Sequence, residues 1–318
     1  MLNPQTTMPT SPTPLLSWLL AGDVALQYQV YRDLRNEIRP DLQQRIWMEG
    51  WGAAFLHFRH TNGNWGKKYY EPKWTSTHYT LLDLRHLEAP AHPLITETLH
   101  MILREEKGPD GGIRPIGTVK RSDVCVNGMF LNVAAYFDAP PEPLASVVDF
   151  ILAQHMPDGG FNCQSNRQGA RHSSLHTTVS VLEGLTTYLS HGYRYRASDV
   201  QAALDQSVAF LLLHRLYLSD RTGAVIHPDF LRLSFPCRWR YDILRGLEAL
   251  RAAHVPWDER MRPAIDVLLQ KRHRDGYWVL GAHHAGQVHF GMEMPRQPSR
   301  WNTLRALRVL QEYAPSLV

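Results

Sequence analysis

Five side chains capable of chemistry sit at one recurring place, the start of an apolar run that follows a glycine turn. They are His78 in HYTLLDLRHL, Cys125 in CVNGMFLNVA, His176 in HTTVSVLEGL, Arg238 in RWRYDILRGL and Trp301 in WNTLRALRVL. Imidazole exchanges protons near neutral pH, a thiolate is a nucleophile and metal ligand, and guanidinium clamps oxyanions. If the runs are helices, these residues lie in first turns, where unsatisfied N–H groups favour anions and thiolates. His78 is then a candidate acid/base or anion ligand, or a neutral histidine lining the mouth. Asp242 follows Arg238 by four residues, which puts both on one helical face. Asp242 is a candidate general acid beside an Arg238 clamp; the competing reading is an ion pair tying neighbouring helices together. Trp74, Met129, Trp239, Tyr241 and Trp301 are candidates for the wall of an apolar cavity that stabilises carbocations. Their spacing suits plain core equally well. His283, His284 and His289, between Gly281 and Pro298, read as part of a solvated loop.

The elements that must position these residues repeat. Turns fall at Asn62-Gly63-Asn64-Trp65, Asp110-Gly111-Gly112, Asp158-Gly159-Gly160, Thr222-Gly223 and Asp275-Gly276, and their first glycines are 48, 48, 64 and 53 residues apart. Apolar helices are expected after each turn, at 75–87, 123–137, 174–189, 237–253 and 301–313, with more polar helices between them at 93–104, 143–154, 197–216 and 258–273. Two further helices, 15–34 and 41–59, precede the first turn. Periods near 50 with two helices per unit indicate a helical array. The helices after the turns are the more apolar, as an inner layer must be. An open solenoid and a closed ring both fit this pattern; the apolar inner layer, and the five units plus the N-terminal pair that make about six hairpins, favour closure as an all-α (α/α)6 toroid over residues 15–318. Residues 1–14 read as a flexible tail.

Composition excludes several classes. The 318 residues carry 34 Lys and Arg against 30 Asp and Glu, a net charge of +4, with the basic residues scattered. Specific nucleic-acid binding usually needs a clustered basic face and is not expected. Three cysteines without a secretory signature read as reduced thiols and suggest a cytoplasmic location. The run Leu15–Leu20 is far too short to span a bilayer.

Turn, loop and inner helix repeated around a ring resembles the superfamily of protein prenyltransferase β-subunits and squalene cyclases. Within it, the segments WTSTHYTLLDLRHL, SDVCVNGM, HSSLHTTVSVLEGL, PCRWRYD and SRWNTLRALRVL are similar to bacterial stand-alone repeat proteins of no established reaction. The Asp-rich DxDD acid motif of the squalene-hopene cyclases is absent from the sequence. The prenyltransferase β-subunits hold zinc with an Asp-x-Cys and a later His, and Asp123, Cys125 and His176 match those positions. The resemblance therefore implies a Zn2+ site at these three residues. Three protein ligands and an open position would let zinc activate a thiol or water. Lys120 matches a diphosphate-contacting lysine of that family, while Gly117 stands where its companion arginine would be. Cys163 is a possible fourth ligand. Without a metal, the same residues are a helix cap, a small buried thiol and a hydrogen-bonded histidine.

The leading expectation is a zinc-dependent, prenyltransferase-like enzyme acting on a small apolar or prenyl-type substrate, with or without a partner subunit. The alternatives are a metal-free terpenoid cyclase using an aspartic acid, and a non-catalytic binding toroid.

Overall fold

The computed structural model describes residues 13–281 and 284–317. Helices are α1 (Pro14–Leu20), α2 (Val24–Arg35), α3 (Pro40–Arg45), α4 (Gly50–His57), α5 (Thr77–His86), α6 (Pro93–Glu105), α7 (Val124–Tyr136), α8 (Pro141–Ala153), α9 (Ser165–Gln168), α10 (Leu175–Ser190), α11 (Ala197–Leu213), α12 (Ile243–Ala252), α13 (Arg262–Gln270) and α14 (Arg300–Tyr313). A short antiparallel pair, β1 (Trp278–Val279) with β2 (Pro298–Ser299), ties the last loop to α14 in the register Trp278↔Ser299 and Val279↔Pro298. The helices expected at 15–34 and 41–59 are each broken in two. In the second, Glu49 is extended and Gly50 takes a φ of 65°.

α2, α5, α7, α10, α12 and α14 form a closed inner ring, and a polar contact links the two helices at every seam. Gln29 Nε2 donates to His86 O (2.8 Å), and Arg85 Nε to Asn132 Oδ1 (3.1 Å). Thr187 Oγ1 donates to the same Asn132 oxygen (2.8 Å). Arg245 forks onto Glu183 (2.8 and 2.7 Å). Glu248 holds both Arg305 and Arg308, and Arg308 reaches Gln29 and Asp33 (3.1 Å each) to close the circle. Outside the ring α8 packs on α7, α11 on α10 and α13 on α12. This is the (α/α)6 toroid.

The tightest seam is between α7 and α10. A Cβ on Gly184 would meet Gly128 O at 2.3 Å, and one on Gly128 would meet Ser180 O at 2.7 Å. Only glycine permits this approach. Both helices are buried on nearly every face, which explains their all-round apolar sequences.

One hydrogen bond sets the register of the units. The N–H of the residue two after the turn glycine donates to a side chain near the start of the inner helix: Trp65 to Thr77 (3.0 Å), Ile113 to Asn127 (2.6 Å), Phe161 to Thr178 (3.0 Å) and Trp278 to Thr303 (3.0 Å). Asp110 and Asp158 in turn accept from the N–H and hydroxyl of Ser122 and Ser173, just before the helices.

These bonds correct the alignment of the five side chains. Cys125, His176 and Trp301 each lie two residues before the bonded position, but His78 lies one residue after it. The counterpart of Cys125 is Thr75, just before α5. Arg238 is not in a helix at all, because α12 begins at Ile243 and Arg238 has a φ of 57°. Segment 233–242 instead crosses the mouth of the ring. Among the described residues no helix is long and apolar enough to cross a membrane.

Candidate active site

The sequence-selected residues fall in four separate places. His78 is 2% exposed inside a tyrosine cage. Its Nδ1 lies 2.8 Å from Tyr69 Oη, and its Nε2 is buried without a partner. Burial pushes its pKa down to about 3, so it is neutral. Tyr70 and Tyr79, hydrogen-bonded to each other at 2.8 Å, complete the cage.

Cys125 is the second residue of α7, and its N–H donates to Cys163 Sγ (2.9 Å). A second hydrogen bond, between the two thiols, and then burial raise the Cys125 thiol pKa, while that thiol–thiol bond lowers that of Cys163. Asp123 occupies the N-cap position of α7 without its side chain capping the helix. Lys120 is exposed in the preceding loop.

His176 points elsewhere. Its Nδ1 accepts from the Tyr241 N–H (2.8 Å), and its ring packs edge-on against Phe230 and Trp239. Burial, then Arg245 and Arg240, depresses its pKa to about 4. It lines a polar cavity of about 330 Å3 at the ring mouth with His227, Asp229, Arg232, Arg240 and His284. Among the described residues no three His, Cys, Asp or Glu side chains gather as a metal-ligand group.

Asp242 and Arg238 do not share a helical face. Asp242 caps α12, accepting from Arg245 N–H (2.9 Å) on one oxygen and Ser234 N–H (3.0 Å) on the other. Arg238 reaches across the ring to Asp83, mid-way along α5, and its guanidinium sits 5.5 Å from the Trp74 ring centre. Asp83 is 1% exposed, and its Oδ1 has no hydrogen-bond partner. Burial raises its pKa to about 6, even with Arg238 pulling the other way. Burial favours the protonated form and Arg238 the ionised one, and burial outweighs the single arginine. Sequence inspection passed over Asp83. The available signal was an acidic residue among the leucines of HYTLLDLRHL.

The expected aromatic cavity is not one cavity. Met129 is fully buried core. Trp301 stacks on Phe235 (4.6 Å between centroids), and Tyr241 donates from its hydroxyl to Leu216 O. Trp239 is half-buried against His176 and Arg240. Trp74 faces a cavity of about 70 Å3 lined with Phe235, Arg238, Phe290 and Met292, whereas Trp301 lines the separate cavity at the centre of the ring. The last loop roofs the Trp74 cavity: 285–288 are exposed, as expected of a solvated loop, but His284, His289, Phe290 and Met292 turn inward. Trp74 Nε1 donates to Ala285 O (2.7 Å), His289 Nε2 meets Thr80 Oγ1 (3.0 Å), and Phe290 packs on Phe55. His283 lies outside the described residues.

No protein-family model matches the sequence, and no characterised protein compared with it does. Among solved structures the chain is similar to the type II terpene cyclase MstE from Scytonema. The apo form is 16% identical with a TM-score of 0.36, over 84% of this chain and 96% of that one. Variants of that cyclase bound to merosterolic acid A, its product, and to geranylgeranyl dihydroxybenzoate, its substrate, are 13% and 15% identical with TM-scores of 0.35 and 0.34, each over 84% of this chain and 95% of that one. The likeness is one of architecture alone.

Proposed function

We propose that this toroid is a metal-free acid catalyst of the terpenoid-cyclase type, and that Asp83 is its proton donor. One observation carries the reading: Asp83 is buried, has one unpartnered oxygen and a pKa raised to about 6, and is held by an arginine that lines an aromatic cavity. Protonated Asp83 gives its proton to one carbon of an alkene. A C–H bond forms as the π bond breaks, leaving a carbocation and the Asp83 carboxylate. Arg238 stabilises that carboxylate, and the faces of Trp74, Phe235 and Phe290 stabilise the cation. Loss of a proton or capture of water ends the reaction, and solvent reprotonates Asp83. The substrate class this favours is a small isoprenoid or a compound bearing one.

The test is incubation of the purified protein in D2O with a panel of linear isoprenoid alcohols and acids. A product carrying carbon-bound deuterium is expected from the native protein and not from Asp83→Asn.

Zinc at Asp123, Cys125 and His176 is the competing proposal. The Cys125–Cys163 contact beside Asp123 favours it, whereas the engagement of His176 Nδ1 by Tyr241 does not. Metal analysis of untagged protein separates the two: acid catalysis at Asp83 expects no stoichiometric zinc, and one zinc per chain would favour the metal reading.

A further inference from the structure

The ring encloses a second space, distinct from the aromatic pocket, and its chemistry is different. This central cavity, about 150 Å3, takes side chains from all six inner helices, among them Arg85, Arg245, Arg251, Arg305 and Arg308. An outer vestibule of about 370 Å3 adjoins it, and Arg251 and Arg308 line both; Arg32 and Asp33 belong to the vestibule. Taken together, the two spaces hold six arginines (32, 85, 245, 251, 305, 308) and, close to them, four carboxylates (Asp33, Glu88, Glu183, Glu248). Glu312 also lines the vestibule but is a surface residue near the C-terminus of α14.

The pairing inside is uneven. Glu183 is taken by Arg245, Glu88 by Arg32, and Glu248 is divided between Arg305 and Arg308. Among the described residues, Arg85 has only an amide oxygen and the face of Tyr136, and Arg251 makes no ion pair or hydrogen bond, with its Nε buried without a partner. Burial, then Arg308, lowers its pKa, with Glu248 and Asp33 pulling the other way.

Buried polar atoms in native proteins are almost always hydrogen-bonded. Yet four residues lining this one cavity carry buried atoms with no partner: His86 Nδ1, Thr186 Oγ1, Arg251 Nε and Trp301 Nε1. Arg251 and Trp301 can only donate, and the threonine hydroxyl can donate as well. Trp301 is 2% exposed, so bulk water does not serve it. Donors in excess, arginines in excess and a compact enclosed volume call for a small ligand rich in acceptors and negatively charged.

We infer that the central cavity is a binding site for a compact oxyanion, a phosphate or a small carboxylic acid, which enters past Arg251 and Arg308 at the C-terminal ends of the inner helices. Its ligands are Arg251, Arg85 and the Trp301 indole N–H, with Thr186 and His86 completing the cradle. The site is separate from Asp83 and stands whether or not Asp83 is a catalyst.

The test is calorimetric titration and thermal unfolding of the intact protein with inorganic phosphate and, separately, succinate, against chloride at matched ionic strength. Saturable binding of either anion with a rise in Tm is expected; which anion binds distinguishes a phosphate site from a carboxylate site. Arg251→Gln and Trp301→Phe should each weaken binding by about tenfold or more, as the loss of a charge-assisted or buried hydrogen bond does. Because Arg251 has no partner to lose, Arg251→Gln should unfold at the same temperature as the native protein, or higher, when no anion is present. Binding of neither anion, or undiminished binding by Arg251→Gln, overturns the inference.

Discussion

Asp83 and Glu248 are both buried carboxylates beside arginine, and their environments drive them in opposite directions. For Glu248, burial alone would raise the pKa, but Arg305 and Arg308 overcome it and hold the group at about 2. The native state therefore binds fewer protons than the unfolded chain between that value and the ordinary 4.5. Its contribution is fully present above pH 4.5 and is lost as pH falls towards 2. Glu248→Gln strands two buried guanidiniums and should cost about 3–5 kcal/mol, measured by urea unfolding at neutral pH. Asp83 has a single arginine, and burial wins. The native state binds the extra proton between pH 3.8 and about 6. Relative to Asp83→Asn, stability should thus rise as pH falls through that window, and turnover by the native protein should fall as pH rises above about 6. At this scale the sequence was least legible. Asp242, placed beside Arg238 by spacing, spends both oxygens on backbone N–H groups, and the working partner of Arg238 lies 155 residues away in sequence. Spacing within one helix carries no information about a contact across the ring.

The inner helices are legible as elements because they are apolar on all sides and follow glycine turns. Their exact register is not. Leucines recur with the helical period, so a sequence alignment can slip by about one turn without penalty, and His78 was placed level with Cys125 by such a slip. The hydrogen bond from the turn to Thr77, Asn127, Thr178 or Thr303 breaks the degeneracy. Thr178→Val removes one such bond from a buried N–H at nearly constant volume and should cost about 1–3 kcal/mol in chemical unfolding. Gly184→Ala should cost at least as much, about 1–3 kcal/mol or more by overpacking, since its Cβ meets backbone that cannot rotate away. α12 shows what the turn pattern alone misses. Gly223 has its positive φ, but Val225 two residues later is exposed, and the chain runs on across the mouth before α12 begins at Ile243.

At the scale of the molecule, the five turns and their intervals gave a helical array that an open solenoid would fit as well, and closure was favoured by the count of about six hairpins and by the contrast between apolar inner and polar outer helices. The character of the ring's interior was not legible. Tryptophans and tyrosines in the sequence suggested one aromatic chamber, yet those residues are divided among core, mouth and seam, and the central space is lined by five arginines contributed by three of the inner helices, α5, α12 and α14. Such residues are scattered singly along the sequence and converge only when the ring closes. Closure also predicts cooperative unfolding. Deleting α14, which carries Arg305 and Arg308 and contacts both α12 and α2, should abolish folding of the whole chain and not merely shorten it; an open solenoid would keep its other units, and circular dichroism of the truncated protein distinguishes the two. The central claim, that the buried Asp83 of α5 is a proton donor beside an aromatic pocket, is tested most directly by carbon-bound deuterium in products formed in D2O. The native protein should introduce it, with a rate that falls above about pH 6, and Asp83→Asn should lose at least about a hundredfold of that rate, as removal of a general acid does, while keeping its fold. Undiminished deuterium incorporation by folded Asp83→Asn would contradict the claim.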